Sequence, residues 1–333
     1  MHKQTIVGVF LLTLAACWAE LSPKQVRAIN PQSQGSGASA PGPKAAMPEL
    51  PKTADLVVLV SIDGLRPDVI TPDTRALHKL YLRGASPHDA RTIDKSATLP
   101  SHASMVSGVE LEKHGIDFNA YRPERGMIRK PTIFSVVSAH GLPSSMFVGK
   151  SKLRHLLAKP SDAAFKMAGM QCGRLVRNAM PALQEARRGV MFLHFADPDS
   201  AGHRHGWMTD EYMEAVQHAD HCLEKVMNTL EESGRIDRTL LIVTSDHGGH
   251  KRSHGTRLLV DKKIPWFAWG AGVRRGRFRE PVRTTDTAAT VLAALGLRPP
   301  EGMQGRPVAG ALAASLGPSG LSLVGAPVER GNP

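Results

Sequence analysis

Three apolar runs, Leu56–Ile62, Val190–Phe195 and Leu240–Thr244, each stop within two residues of an aspartate. The runs are unbroken and rich in β-branched or large side chains, as strands covered on both faces require. Asp63 follows the first directly, Asp197-Pro198-Asp199 follows the second after Ala196, and Asp246-His247 follows the third after Ser245. Helical patterns stand between and after them. Asp73–Arg83 carries Leu77, Leu80 and Tyr81 at helical spacing. Glu211–Glu232 carries Met213, Val216, Leu223, Val226, Met227 and Leu230 as one stripe and stops at Ser233-Gly234, and Asp286–Leu297 closes before Pro299-Pro300. Pro265–Trp269 reads as a fourth strand. This alternation predicts an α/β fold, a mostly parallel central sheet sandwiched by helices. Ligands of such sheets bind beyond the carboxyl ends of the strands, so the acids are expected on one edge.

An aspartate after a strand most often caps a helix or closes an Asx turn, and a lone histidine is most often a surface or satisfied core residue. Asp63, Asp199, Asp246, His203, His247 and His254 together are harder to explain that way. Carboxylate and imidazole donors without thiolates suit Zn²⁺, with Mn²⁺ or Fe as alternatives. Six donors exceed one tetrahedral catalytic site. They match two ions about 3.5–4 Å apart, the arrangement that clamps attacking and leaving oxygens in phosphoryl transfer. A nucleophile candidate stands in Thr98-Leu99-Pro100-Ser101-His102, just ahead of the helical stretch Ala103–Val106. Thr98 or Ser101 there can simply cap the helix. A metal-held hydroxyl at that place becomes an alkoxide at neutral pH, and a helix N-terminus favours a phosphate anion. His102 is read as structural.

These segments resemble the alkaline phosphatase superfamily and, within it, the nucleotide pyrophosphatase/phosphodiesterase group, from Val57 to about Val308. The matching motifs are Val60-Ser61-Ile62-Asp63-Gly64-Leu65-Arg66-Pro67-Asp68, Thr98 to His102, Pro198-Asp199-Ser200-Ala201-Gly202-His203, and Ser245-Asp246-His247-Gly248-Gly249 with His254-Gly255-Thr256. The resemblance implies an alkaline phosphatase-like fold and a two-zinc hydrolase of phosphodiester or pyrophosphate bonds. It places Asp199, His203 and His254 on one zinc. Asp63, Asp246, His247 and the Thr98 hydroxyl fall on the other, with Thr98 forming a covalent phospho-enzyme. Asn119, near His114-Gly115-Ile116, is implied as the donor to a phosphoryl oxygen. Two departures stand out: Ser101 where many relatives have Asn, and His254 only eight residues after Asp246. A phosphomonoesterase or phosphotransferase of the same superfamily is the alternative, and a non-catalytic exported metal-binding protein a second. A sulfatase needs Cys or Ser in a C/S-x-P-x-R segment, which Thr98-Leu99-Pro100-Ser101-His102 does not supply.

The remaining sequence reads as envelope rather than catalyst. His2 and Lys3 precede a short apolar run, and Leu14-Ala15-Ala16-Cys17 resembles a bacterial lipobox, so residues 1–19 are expected to be a signal peptide with possible lipidation of Cys17. Ordinary cleavage near Cys17 and Ala19 is the competing reading. Residues 20–52, rich in Pro, Gly, Ser, Gln and Ala, are expected to be a disordered tether, 53–312 the catalytic domain, and 313–333 a flexible tail. An exported protein, periplasmic or on the cell envelope, follows from this. Such a compartment permits Cys172 and Cys222 to pair without requiring it. Lys+Arg 42 against Asp+Glu 30 gives a net charge of +12, but the basic residues are scattered as pairs such as Arg187-Arg188 and Arg274-Arg275. That distribution fits an anionic substrate or simple solubility rather than a stable nucleic-acid complex, and the resemblance implies that the substrate is an anionic phosphoester such as a nucleotide. No feature specifies an oligomeric state.

Overall fold

Strand β1 (Leu56–Ile62) is buried along its whole length, because it is paired in parallel on both edges, with β6 (Gly189–Phe195) on one side and β7 (Thr239–Thr244) on the other. These are the three apolar runs, and they form the centre of the sheet. The computed structural model describes residues 52–313. The expected 1–19 leader, all but the last residue of the 20–52 tether and all but the first of the 313–333 tail lie outside the described residues. The other strands are β2 (Ala85–Pro87), β3 (Ala90–Arg91), β4 (Ser144–Val148), β5 (Ala164–Met167), β8 (Trp266–Gly270), β9 (Gly276–Phe278) and β10 (Val282–Arg283). An eight-stranded sheet runs β5-β4-β6-β1-β7-β8-β2-β9, and β10 pairs with β3 separately. From β5 to β7 every pairing is parallel, so those strands send their carboxyl ends to one edge. The expected fourth strand, β8, runs antiparallel to β7.

The helices are α1 (Arg75–Arg83), α2 (Thr98–Ser107), α3 (Leu111–His114), α4 (Ile133–Ala139), α5 (Cys172–Glu185), α6 (Asp197–His205), α7 (Asp210–Glu232), α8 (Leu259–Lys262) and α9 (Asp286–Ala294). Alternation along β1 divides the core. Val57 and Leu59 face α2, α4 and α9 through Leu99, Phe134 and Val291. Val58 and Val60 face α1, α5 and α7 through Leu77, Leu175 and Leu223. The mostly parallel α/β sandwich expected from the sequence is therefore the fold. Local differences have local causes. Thr74 becomes the N-cap of α1, so the helix starts after Asp73, and Tyr81 turns outward while Leu77 and Leu80 are buried. α9 ends at Ala294 because Gly296 adopts a left-handed φ of 73°. Cys172 at the start of α5 is bonded to Cys222 of α7. Among the described residues no helix is long and apolar enough to cross a membrane.

Candidate active site

The three strand ends are stitched to one another before any ligand is considered. The Asp63 N–H donates to Phe195 O at 2.9 Å, and the Asp63 carbonyl accepts from the Asp199 N–H at 3.0 Å. Gly64 turns the chain with φ at 71°, and a Cβ there would sit 3.0 Å from the Asp199 backbone, so the Asp63-Gly64 pair requires glycine. The Gly64 N–H donates to Asp246 Oδ1 at 3.1 Å and the Leu65 N–H to Ser245 Oγ at 3.0 Å. Asp197 and Asp199 divide their labour. Asp197 accepts the Cys172 N–H at the start of α5, whereas Asp199, the third residue of α6, turns inward and shares a helix face with His203, four residues on. Gly202 leaves room beside them for the Trp207 ring.

All six sequence-derived donors converge. Asp63 Oδ1, Asp199 Oδ1, Asp246 Oδ2 and His247 Nε2 are buried and have no hydrogen-bond partner among the described residues. His247 Nε2 lies 3.3 Å from both Asp63 Oδ1 and Asp246 Oδ2, and 3.9 Å from Asp199 Oδ1. On the other side of Asp199 Oδ1 stand His203 Nε2 at 3.4 Å and His254 Nε2 at 3.6 Å. The tautomers are set from behind. Nδ1 of His247 donates to Gly248 O, that of His254 to Ser96 O, and that of His203 to Arg252 O, at 2.7, 2.9 and 3.1 Å. Each ring therefore presents Nε2 inward. His203 and His254 bring these nitrogens within 3.1 Å of each other, where two neutral lone pairs repel unless a cation lies between them. Orphaned carboxylate oxygens, inward Nε2 atoms and paired outer nitrogens fit a pair of divalent metal ions. Asp63, Asp246 and His247 form one cluster; Asp199 and His254, with His203 beside them, form the second, and His247 borders both.

The electrostatics show what cations do at such a site. Burial pushes the Asp63 carboxyl up, but the Lys150 ammonium and the His194 and His247 rings outweigh it and hold it well below the usual range. Burial, then the charge of Asp63, raises Asp246 to about 7. Burial opposes a charge on His247, yet Asp246 and Asp63 raise it to about 9. The metal-free site thus keeps a proton where a metal would sit.

Thr98 is the first residue of α2 and is buried, and its side chain caps nothing: Ala97 is the N-cap. The side chain that serves the helix start is that of Asn119, whose Oδ1 accepts the Leu99 N–H at 2.9 Å, while among the described residues its amide Nδ2 has no partner. Among the described contacts, Thr98 Oγ1 meets only Lys150 Nζ, at 3.4 Å. His102 is buried with its ring nitrogens on Ser61 Oγ and Thr98 O at 2.8 and 2.7 Å, and its Nδ1 lies 3.5 Å from Asp246 Oδ2. Three neighbours escape the sequence reading. His194, mid-strand in β6, accepts the Gly149 N–H at Nδ1 and so donates from Nε2 to Asp63 Oδ2 at 2.9 Å. Lys150 contacts Asp63 Oδ2 at 2.6 Å and also Asp199 Oδ2, and Lys152 donates to Asn119 Oδ1 at 2.9 Å. The signal was Met146-Phe147-Val148-Gly149-Lys150, a short strand end of the same kind as the other three. Arg66 in the first motif and Lys95, three residues before Thr98, are turned to Asp68 and to the Asp117 carbonyl.

Fold and site together define an α/β protein of alkaline phosphatase-like fold with a candidate metal centre at the carboxyl edge of its sheet. The family model of type I phosphodiesterase / nucleotide pyrophosphatase matches residues 57–274, and the chain belongs to that family. Human ectonucleotide pyrophosphatase/phosphodiesterase family member 7 is 25% identical over 219 residues, covering 58% of this chain and 47% of the relative. The chain thus spans about half the length of that curated relative. The solved structure of murine ectonucleotide pyrophosphatase/phosphodiesterase 5 in complex with AMP superposes with a TM-score of 0.63 at 15% identity, covering 75% of this chain and 96% of that one. A 2-O GAG sulfatase structure superposes with a TM-score of 0.62 at 14% identity, covering 78% and 74%. Both share the fold.

Proposed function

We propose that this protein hydrolyses phosphodiester or pyrophosphate bonds, with Thr98 as nucleophile and two divalent ions, zinc by the chemistry of the donors. The carrying observation is the pair of donor clusters, with orphaned inward atoms, beside a buried threonine hydroxyl that no cap or core contact uses. Asp63, Asp246, His247 and Thr98 would hold one ion, and Asp199, His203 and His254 the other. Bound there, the ions would lower the hydroxyl's pKa and offset charge on the attacking and leaving oxygens. Thr98 Oγ attacks phosphorus, the leaving alcohol or phosphate departs in line, and water then cleaves the ester formed on Thr98. Asn119, anchored through its Oδ1, turns its amide toward a phosphoryl oxygen. The substrate is an anionic phosphoester, and AMP in the murine relative makes a nucleotide the first class to try.

Export, with lipidation at Cys17, is part of the same proposal. The Cys172–Cys222 bond supports it, because such bonds persist in oxidising compartments. The test is a set of initial rates on matched aryl monoesters, aryl diesters and nucleotide pyrophosphates, with and without chelator, alongside zinc content. Turnover of diesters or pyrophosphates that chelation abolishes and zinc restores is the expected result. Full activity in metal-free protein would overturn the reading.

A further inference from the structure

The strands β8, β2 and β9 frame a second cavity, of about 560 Å³. That is within the range of roughly 300–1,000 Å³ usual for small-molecule sites. None of the six candidate metal donors lines it, and neither does Thr98 or Asn119. Its floor follows from strand register. Ser86 of β2 pairs with Arg277 of β9, and one step past the Ala85–Ala268 pair it stands beside Phe267 of β8. Residues paired across strands share a sheet face, so Phe267, Ser86 and Arg277 form one row. Phe267 packs with Leu77 and Leu80, which puts that row on the side covered by α1. Tyr81, turned outward from α1, closes one wall: the Arg277 guanidinium lies 5.2 Å from its ring centroid and Nη1 donates to its hydroxyl at 3.3 Å. Leu259 of α8 and Lys263 just after it supply another.

The polar groups of this cavity are unevenly matched. Ser86 is only 3% exposed, yet its Oγ has no hydrogen-bond partner among the described residues. A buried hydroxyl without a partner is costly, and a ligand atom in the cavity would satisfy it. Both lining acids are already neutralised, Asp68 by Arg66 at 2.9 Å and Asp89 by Arg91 at 2.8 Å. Arg66 spends its remaining Nη1 on the Gly249 carbonyl at 3.2 Å. Lys263 and Arg277 are exposed at the rim, and among the described residues neither has a carboxylate partner. The cavity therefore combines apolar walls, a buried hydroxyl and two cations with no acid to balance them.

We propose that this cavity is a second ligand site, for a small amphiphilic anion: an aromatic or aliphatic body against Phe267, Pro87 and Leu259, with a carboxylate, phosphate or sulfonate held by Arg277, Lys263 and the Ser86 hydroxyl. The planar guanidinium suits an anion that offers two oxygens. Both halves of the ligand are needed. An inorganic anion at an exposed rim is screened by salt, and an uncharged body leaves the cations and the hydroxyl unused. No metal donor takes part, so the site stands independently of the hydrolase reading.

The experiment titrates the full chain, metal-free and zinc-loaded, with three probes followed by fluorescence and calorimetry. Anilinonaphthalene sulfonate carries body and charge, N-phenylnaphthylamine the body alone, and inorganic sulfate the charge alone. The sulfonate should bind at one site, equally with and without zinc, and the other two probes at least about 10-fold more weakly. Lys263→Gln combined with Arg277→Gln should weaken the sulfonate roughly 10-fold or more, and Ser86→Ala about 3-fold. Melting curves check that each variant is folded; should Ser86→Ala fail to fold, the two exposed rim positions decide. Absence of sulfonate binding would overturn the proposal. So would equal affinity for the uncharged analogue, or an affinity unmoved by the rim variants, since either means an apolar patch only. Binding that requires zinc would overturn it as well, by moving the anion to the metal centre. Because no probe is turned over, these results do not depend on whether the protein hydrolyses phosphoesters.

Discussion

Replacing His194 with Phe isolates a contact that touches no substrate and yet should govern the metal site. The imidazole is fully buried, donates from Nε2 to Asp63 Oδ2 at 2.9 Å, and takes the Gly149 N–H at Nδ1. A phenyl ring occupies a similar planar space, so no large cavity opens, and the Gly149 N–H still reaches the His194 backbone carbonyl at 3.2 Å. What is lost is one hydrogen bond to a buried carboxylate, worth about 1.5–3 kcal/mol. Asp63 Oδ2 then rests on Lys150 alone, and the carboxylate can rotate away from its metal-facing orientation. Losses of this kind cost about 10–100-fold in metal affinity. The assay is zinc competition against a chromogenic chelator, paired with urea unfolding of the metal-free protein. Zinc affinity should fall within that range, the urea midpoint should drop, and kcat at saturating zinc should stay close to wild type. A variant that binds zinc within about twofold of wild type would refute the claim that His194 sets the Asp63 carboxylate.

Asn119→Ala should cost at least about tenfold in kcat/KM, ~1.4 kcal/mol, whereas Asn119→Asp should keep the Leu99 cap and helix stability but lose the same activity, read by matched kinetics and melting curves. Zinc binding near pH 7 should release protons, because Asp246 at about 7 and His247 at about 9 share one in the metal-free site. Zinc affinity should therefore rise from pH 6 to 9, with proton release measured by calorimetry in buffers of different ionisation heat. His114 is buried, accepts the Ile116 N–H at Nδ1 and is held by burial at about 4, against an ordinary 6.5. A depressed histidine contributes stability that is complete above pH 6.5 and lost as pH falls toward 4, up to about 3 kcal/mol. Urea midpoints of wild type should fall over that window more steeply than those of His114→Phe.

Five of the six candidate metal donors are legible in the sequence because each follows an unmistakable apolar strand or, as His203 does, shares a helix turn with one that does, whereas His254 lies in a loop eight residues after Asp246. Parallel pairing then makes their convergence a consequence of topology. The fold is legible for the same reason, since inside β1, β6 and β7 only single polar residues, Ser61 and His194, interrupt the apolar runs. β4 opens Ser144-Ser145 and buries fully only Met146, Phe147 and Val148, too short a run to separate from a turn by pattern alone. Without β4, Lys150 has no address in the sequence. His194 is missed for the opposite reason: it lies inside a strand, where its neighbours make it look like filler. Asn119 is legible only through family resemblance, because its capping of Leu99 spans 20 residues of loop and helix.

The central claim is that Thr98 carries the transferred group. Acid quenching of zinc-loaded protein during turnover of a nucleotide pyrophosphate or aryl diester, followed by peptide mass spectrometry, reads it directly. The expected result is a phosphate or phosphoester adduct on Thr98 in the wild-type protein, with no turnover in Thr98→Ala despite full zinc content. Unmodified Thr98 throughout the steady state, together with normal turnover by Thr98→Ala, would contradict it and place the attack with water instead.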